Sequence, residues 1–107
     1  MEEYQTFLYN EEFENYTQYL KDINFEDKLK RISKSCRGKK VLIYGNGILF
    51  EAICRNYDIK RYINVCAISD VRYEKSGERE YLGFSAIKPN EIFSVINVFN
   101  VIYIWVC

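Results

Sequence analysis

A chain of 107 residues with 49% hydrophobic and 17% aromatic residues has room for one packed domain and too much apolar material to stay disordered. It is too short for a dinucleotide-binding domain of two βαβαβ halves, so one half is what fits. Its 15 basic and 15 acidic residues cancel, yet residues 1–27 hold eight acids against Lys21 alone, an acidic front of −7 on a basic body of +7.

This segregation suggests an N-terminal helical segment lying on its own basic body or on a partner's, with attraction of anionic ligands to the body as a second reading. The bases are scattered and no nucleic-acid-binding module occurs, so no nucleic-acid partner is expected. No apolar run approaches the roughly 18 residues of a membrane helix, and Met1-Glu2-Glu3-Tyr4 lacks the basic and apolar regions of a signal peptide. A cytoplasmic chain without membrane insertion is the expectation. There is no histidine, and Cys36, Cys54, Cys66 and Cys107 contain no Cys-x-x-Cys, so metal binding, thioredoxin chemistry and Cys-His or Ser-His pairs are not expected. The cysteines read as reduced, mostly buried thiols.

In chain order, Tyr9, Phe13, Tyr16, Leu20 and Ile23 recur at helical spacing and predict a helix over 3–23. Asn24 is placed to cap a second helix, with Asp27 at its third position and Phe25, Leu29, Ile32 and Cys36 along one face, stopping near Gly38. Residues 1–38 are thus an N-terminal helical extension, and residues 39–107 the body. Val41-Leu42-Ile43-Tyr44 is a buried strand that runs into Gly45-Asn46-Gly47 and then an amphipathic helix with Leu49, Ala52, Ile53 and Tyr57, ending between Arg55 and Asp58. Residues 63–70 form a second strand, parallel to the first because some twenty residues of crossover join them. Residues 71–81 read as a charged, solvated loop, and 82–87 as a brief extended piece. Pro89 opens a helix, and 101–106 is the third strand. The expected fold is α/β: a half-Rossmann three-layer arrangement with a three-stranded parallel sheet in the order 3-2-1.

Strand, Gly-x-Gly and helix in succession form the phosphate-facing turn of such a unit. The first glycine permits the tight turn, the second lets backbone approach a pyrophosphate, and free N–H groups at the helix start attract an anion. Gly45, Asn46, Gly47, Ile48 and Leu49 are the candidate binding residues. The third glycine position holds Phe50, which departs from the pattern. Asp70 ends the second strand where such folds keep an acid for a ribose hydroxyl; the alternative is that it accepts backbone N–H bonds at a turn. Its charge makes NADP less suitable than NAD or a nucleoside diphosphate. Arg72 reads as solvated, with a phosphate contact as the second possibility.

On these residues, together with Tyr81-Leu82-Gly83-Phe84-Ser85-Ala86-Ile87-Lys88-Pro89-Asn90-Glu91-Ile92, the stretch 39–106 resembles the Rossmann-like N-terminal domains of bacterial polysaccharide-biosynthesis proteins, among them sugar acyltransferases and nucleotide-sugar dehydratases. The resemblance implies a nucleotide-sugar, a dinucleotide or CoA as ligand, with Gly45, Asn46, Gly47 and Asp70 matching the binding positions and Phe50 not. The acyltransferases' catalytic β-helix has no counterpart here. With no paired acids at motif spacing and no activated nucleophile, the chain is expected to bind a nucleotide-type ligand without catalysing a reaction on its own. The alternatives are a binding fragment of a larger NAD-dependent or sugar-modifying enzyme, and an interaction domain whose ligand site is plugged by Phe50. A sheet ending at three strands would leave 41–44 as an uncovered apolar edge, so a homodimer is expected through residues 3–23 or that edge, or docking onto a larger protein.

Overall fold

The computed structural model describes residues 2–99 and 103–106, with side chains from Tyr9 to Ile96. Two helices come first, α1 (Glu2–Asp22) and α2 (Phe25–Ser35). They are separated by a turn in which Asn24 adopts a left-handed conformation (φ 52), tolerable for Asn. Asn24 holds the cap position but bonds no backbone N–H through its side chain, which donates instead to the Asp27 carboxylate at 2.8 Å. Most of the periodic residues bury: Leu20, Phe25, Leu29 and Cys36 share one core cluster with Val41, Ile43, Phe50, Ile53 and Ile68 of the body, Phe13, Ile23 and Ile32 pack against it half-buried, and Tyr9 and Tyr16 stay exposed.

Five strands follow, β1 (Val41–Tyr44), β2 (Val65–Ser69), β3 (Glu80–Tyr81), β4 (Phe84–Ile87) and β5 (Tyr103–Val106), with helices α3 (Ile48–Asn56), α4 (Tyr73–Ser76) and α5 (Ile92–Phe99) between them. They form one sheet in the order β3-β4-β2-β1-β5. The β1–β2, β2–β4 and β1–β5 pairs are parallel, and β3 pairs antiparallel with β4. This is a mixed α/β fold with a mostly parallel sheet, as the strand and helix pattern implied. Residues 101, 102 and 107 lie outside the described residues.

The expected order 3-2-1 is wrong. The last strand pairs not with β2 but with the far side of β1, Val41 opposite Tyr103 and Ile43 opposite Trp105. Its expected place beside β2 is taken by β4, the piece read as briefly extended, with Ile68 opposite Ala86. The physical reason is chain order. β4 reaches the free edge of β2 first, so the only edge left for a parallel partner on the core of the sheet is that of β1. Right-handed crossovers then put the connection from β4 back across to β5 on the face opposite α3, since the chain reverses its direction across the sheet. Alternation along the strands fits this: Val41 and Ile43 enter the main cluster, while buried Leu42 and Ala67, paired in register, face the other side.

The corrected order also removes the uncovered edge. β1 is hydrogen-bonded on both sides, so a dimer built on that edge is closed off. The segment 71–81 is likewise more than a solvated loop: it contains α4, whose Tyr73 is fully buried, and β3. Leu82 and Gly83, both with positive φ (51 and 82), close the two-residue hairpin from β3 to β4, the conformation such turns require. Among the described residues, no helix is long and apolar enough to cross a membrane.

Candidate functional site

The glycine turn sits at the carboxyl ends of β1 and β2. Gly45 has φ 97, a region closed to side chains, and its N–H continues the ladder by donating to the Ser69 carbonyl at 2.9 Å. Gly47 is the N-cap of α3 and differs in kind. Its φ of −83 suits any residue, and a Cβ placed there would meet nothing within 4 Å. The fold therefore does not need a glycine at this position. Beyond it, the first-turn N–H groups of Ile48 and Leu49 have no intrahelical acceptor, and both residues are half-buried at the mouth of the turn.

Asp70 is brought directly to the turn. One carboxylate oxygen accepts the Asn46 N–H at 2.6 Å and the other the Arg72 N–H at 3.0 Å. The backbone-binding alternative for Asp70 is therefore realised, and the Asn46 N–H is already committed. The N–H groups of Gly47, Ile48 and Leu49 are not taken up by Asp70. Asn46 is itself fully buried, and its side-chain amide oxygen and nitrogen have no hydrogen-bond partner among the described residues. Leaving such a group unpaired costs about 1–3 kcal/mol, so the place of Asn46 beside the turn calls for a cause other than stability.

Phe50, at the third glycine position, is fully buried, its ring centroid 6.1 Å from Phe84 and 6.5 Å from Tyr81. A large side chain here fills the space between α3 and the β3–β4 hairpin, where a glycine would let helix and strand close up. Arg72 is half-buried rather than solvated. Its guanidinium lies 4.3 Å from the Tyr81 ring and 5.2 Å from that of Tyr73, and its buried Nε has no partner among the described residues. Burial works against its charge, but the Tyr73 and Tyr81 hydroxyls raise its pKa on balance.

One further group was not legible in the sequence. In the first turn of α3, Glu51 accepts from the Tyr9 hydroxyl of α1 and from Arg55 Nε at 2.9 Å. Tyr9 and Glu51 lie far apart in sequence, and no local signal pairs them. With the bond from Asn56 Nδ2 to Thr17 Oγ1 at 3.1 Å, it fastens α1 along α3. The Glu51 carboxyl is held below its usual range: burial would raise it, but the Tyr9 and Arg55 bonds prevail. The Tyr9 hydroxyl is pushed from 10.0 up to about 12, chiefly by the same bond. A carboxyl depressed in the folded state contributes stability above its unfolded value of about 4.3 and loses it as pH falls through the folded value. Glu51→Gln should therefore cost about 1 kcal/mol at neutral pH, with the gap to wild type closing in melts taken below about pH 4. A gap that persists at low pH would show that the charge is not what matters.

Among the described residues no cluster of His, Cys, Asp or Glu could hold a metal ion. No known protein family, no curated protein and no solved structure matches the chain.

Proposed function

We propose that this chain is a half-Rossmann module that binds a nucleotide or nucleotide-sugar at the glycine turn and serves surface polysaccharide biosynthesis. The observation that carries the reading is Gly47. A glycine with ordinary φ and open space around it is only one of several residues that could cap α3, and it is the one that leaves the backbone bare for a ligand to approach. Three features support this. The parallel strands β4-β2-β1-β5 run in the succession that dinucleotide-binding sheets use for their third, second, first and fourth strands, and such sheets take ligands at the carboxyl ends where that order reverses. The helix start at Ile48 and Leu49 favours an anion. Arg72, whose main-chain N–H bonds Asp70, adds a cation to this part of the molecule, with its guanidinium over the Tyr81 ring.

In this reading the phosphates lie on Gly47, Ile48 and Leu49. Asp70 accepts from a ribose hydroxyl with the lone pairs its two backbone bonds leave free. Its charge beside the turn disfavours a 2′-phosphate, so NAD, CoA or a UDP-sugar suits the site better than NADP. The link to polysaccharide biosynthesis rests on the resemblance of residues 39–106 alone.

A thermal-shift series with NAD, NADP, CoA and UDP-sugars tests the proposal. A ligand at about 100 times its dissociation constant should stabilise the protein by ~2.7 kcal/mol. Gly47→Val should abolish that shift while changing the stability of the free protein by no more than about 1 kcal/mol. No response to any of these ligands, or the same response in Gly47→Val, would refute the site.

A further inference from the structure

At the opposite end of the sheet, the amino ends of β1 and β2 border a groove of about 520 Å³ between the end of α2 and the turn before β2. Arg37, Lys39, Lys60 and Arg61 line it, and no acidic residue does. Arg37 and Lys39 follow the end of α2, where cations offset the helix dipole, and Lys60 and Arg61 come from a separate 3-10 turn, Ile59–Arg61, so two chain segments converge to make the groove basic. Lys60 Nζ is occupied with the Gly83 carbonyl at 2.9 Å. Arg37, Lys39 and Arg61 pair with no carboxylate among the described residues.

The complement is on the same molecule. α1 packs along α3 through Phe13 and Leu20 and leaves Glu11, Glu12 and Glu14 exposed; the helical repeat puts Glu11 and Glu14 together on the face away from Leu20, and Glu12 on one flank with Tyr19, 51% exposed. None of the three glutamates pairs with a cation among the described residues. An acidic helix face at Glu11 and Glu14, and a basic groove edged by Tyr62, are therefore both left unmatched.

We infer that the occupant of the groove is the acidic face of α1 from a second copy of this chain. If the exchange is reciprocal, the same two surfaces meet twice about a twofold axis and the assembly closes as a dimer. The contact uses residues 3–23, one of the two surfaces the sequence suggested, and owes nothing to the edge of β1. It is independent of the nucleotide site, which lies at the other end of the strands.

Sedimentation of the full chain at low and high salt, with two charge reversals, tests this. The double variants Arg37→Glu/Arg61→Glu and Glu11→Lys/Glu14→Lys should each weaken dimerisation on the order of tenfold or more, and salt should do the same to wild type. An equimolar mixture of the two variants should dimerise again, because each supplies the surface that the other's altered one now attracts. Circular dichroism confirms that both fold. A wild-type chain that stays monomeric in low salt at about 10⁻⁴ M overturns the proposal, as does a dimer indifferent to both reversals or a mixture that fails to recover.

Discussion

Phe50→Ala should lower the unfolding free energy by about 3–5 kcal/mol, the range for emptying a fully buried aromatic site. The ring lies against Phe84 and Tyr81, so its loss opens a cavity under α3 that the short β3–β4 hairpin cannot collapse to fill. Set against the 5–15 kcal/mol of a typical domain, the change leaves a marginal protein. Phe50→Leu keeps an apolar filling and should cost less, about 1–1.5 kcal/mol. Phe50→Gly is the informative extreme. It restores the third glycine of the dinucleotide fingerprint, yet here it should be the worst of the three, adding about 1 kcal/mol of helix cost to the cavity. Urea unfolding of the series reads the order directly; a glycine variant as stable as wild type would show that α3 does not pack through this side chain.

Asp70→Ala should cost about 2–4 kcal/mol, because it removes the acceptor for two backbone N–H groups at once and bonds to a charged group are the stronger kind. Asp70→Asn should fall between, since an amide presents one acceptor oxygen where the carboxylate presents two. Hydrogen exchange separates this from a general loosening: the Asn46 and Arg72 amides should lose protection first. The same variant should also weaken binding of ribose-containing ligands, and the Asn variant shows how much of that loss comes from the disordered turn rather than the missing charge. An alanine variant within about 0.5 kcal/mol of wild type would mean that Asp70 does not hold the turn, and would restore the ribose contact as its main employment.

What the sequence determined by itself is what neighbouring residues decide among themselves. The apolar run from Val41 into Gly45 and Gly47, the periodic faces of α1, α2 and α3, and the helix after Pro89 follow from spacing and from the few backbone conformations that glycine, proline and their neighbours permit. The glycine turn was legible for the same reason, since a strand-to-helix turn is a local device. Tertiary structure alone decided the rest. Phe84-Ser85-Ala86-Ile87 is too short to announce itself as a strand, and becomes one because the edge of β2 is waiting for it. That pairing sends the last strand to β1 and covers the edge that looked exposed. Asp70 could have served a ribose or a turn, and its two oxygens found backbone N–H groups that only the juxtaposition of β1 and β2 brings within reach. Phe50 breaks a sequence pattern and completes a core, because the partners that give it a place, Tyr81 and Phe84, lie across the sheet, where no periodicity within α3 can point to them.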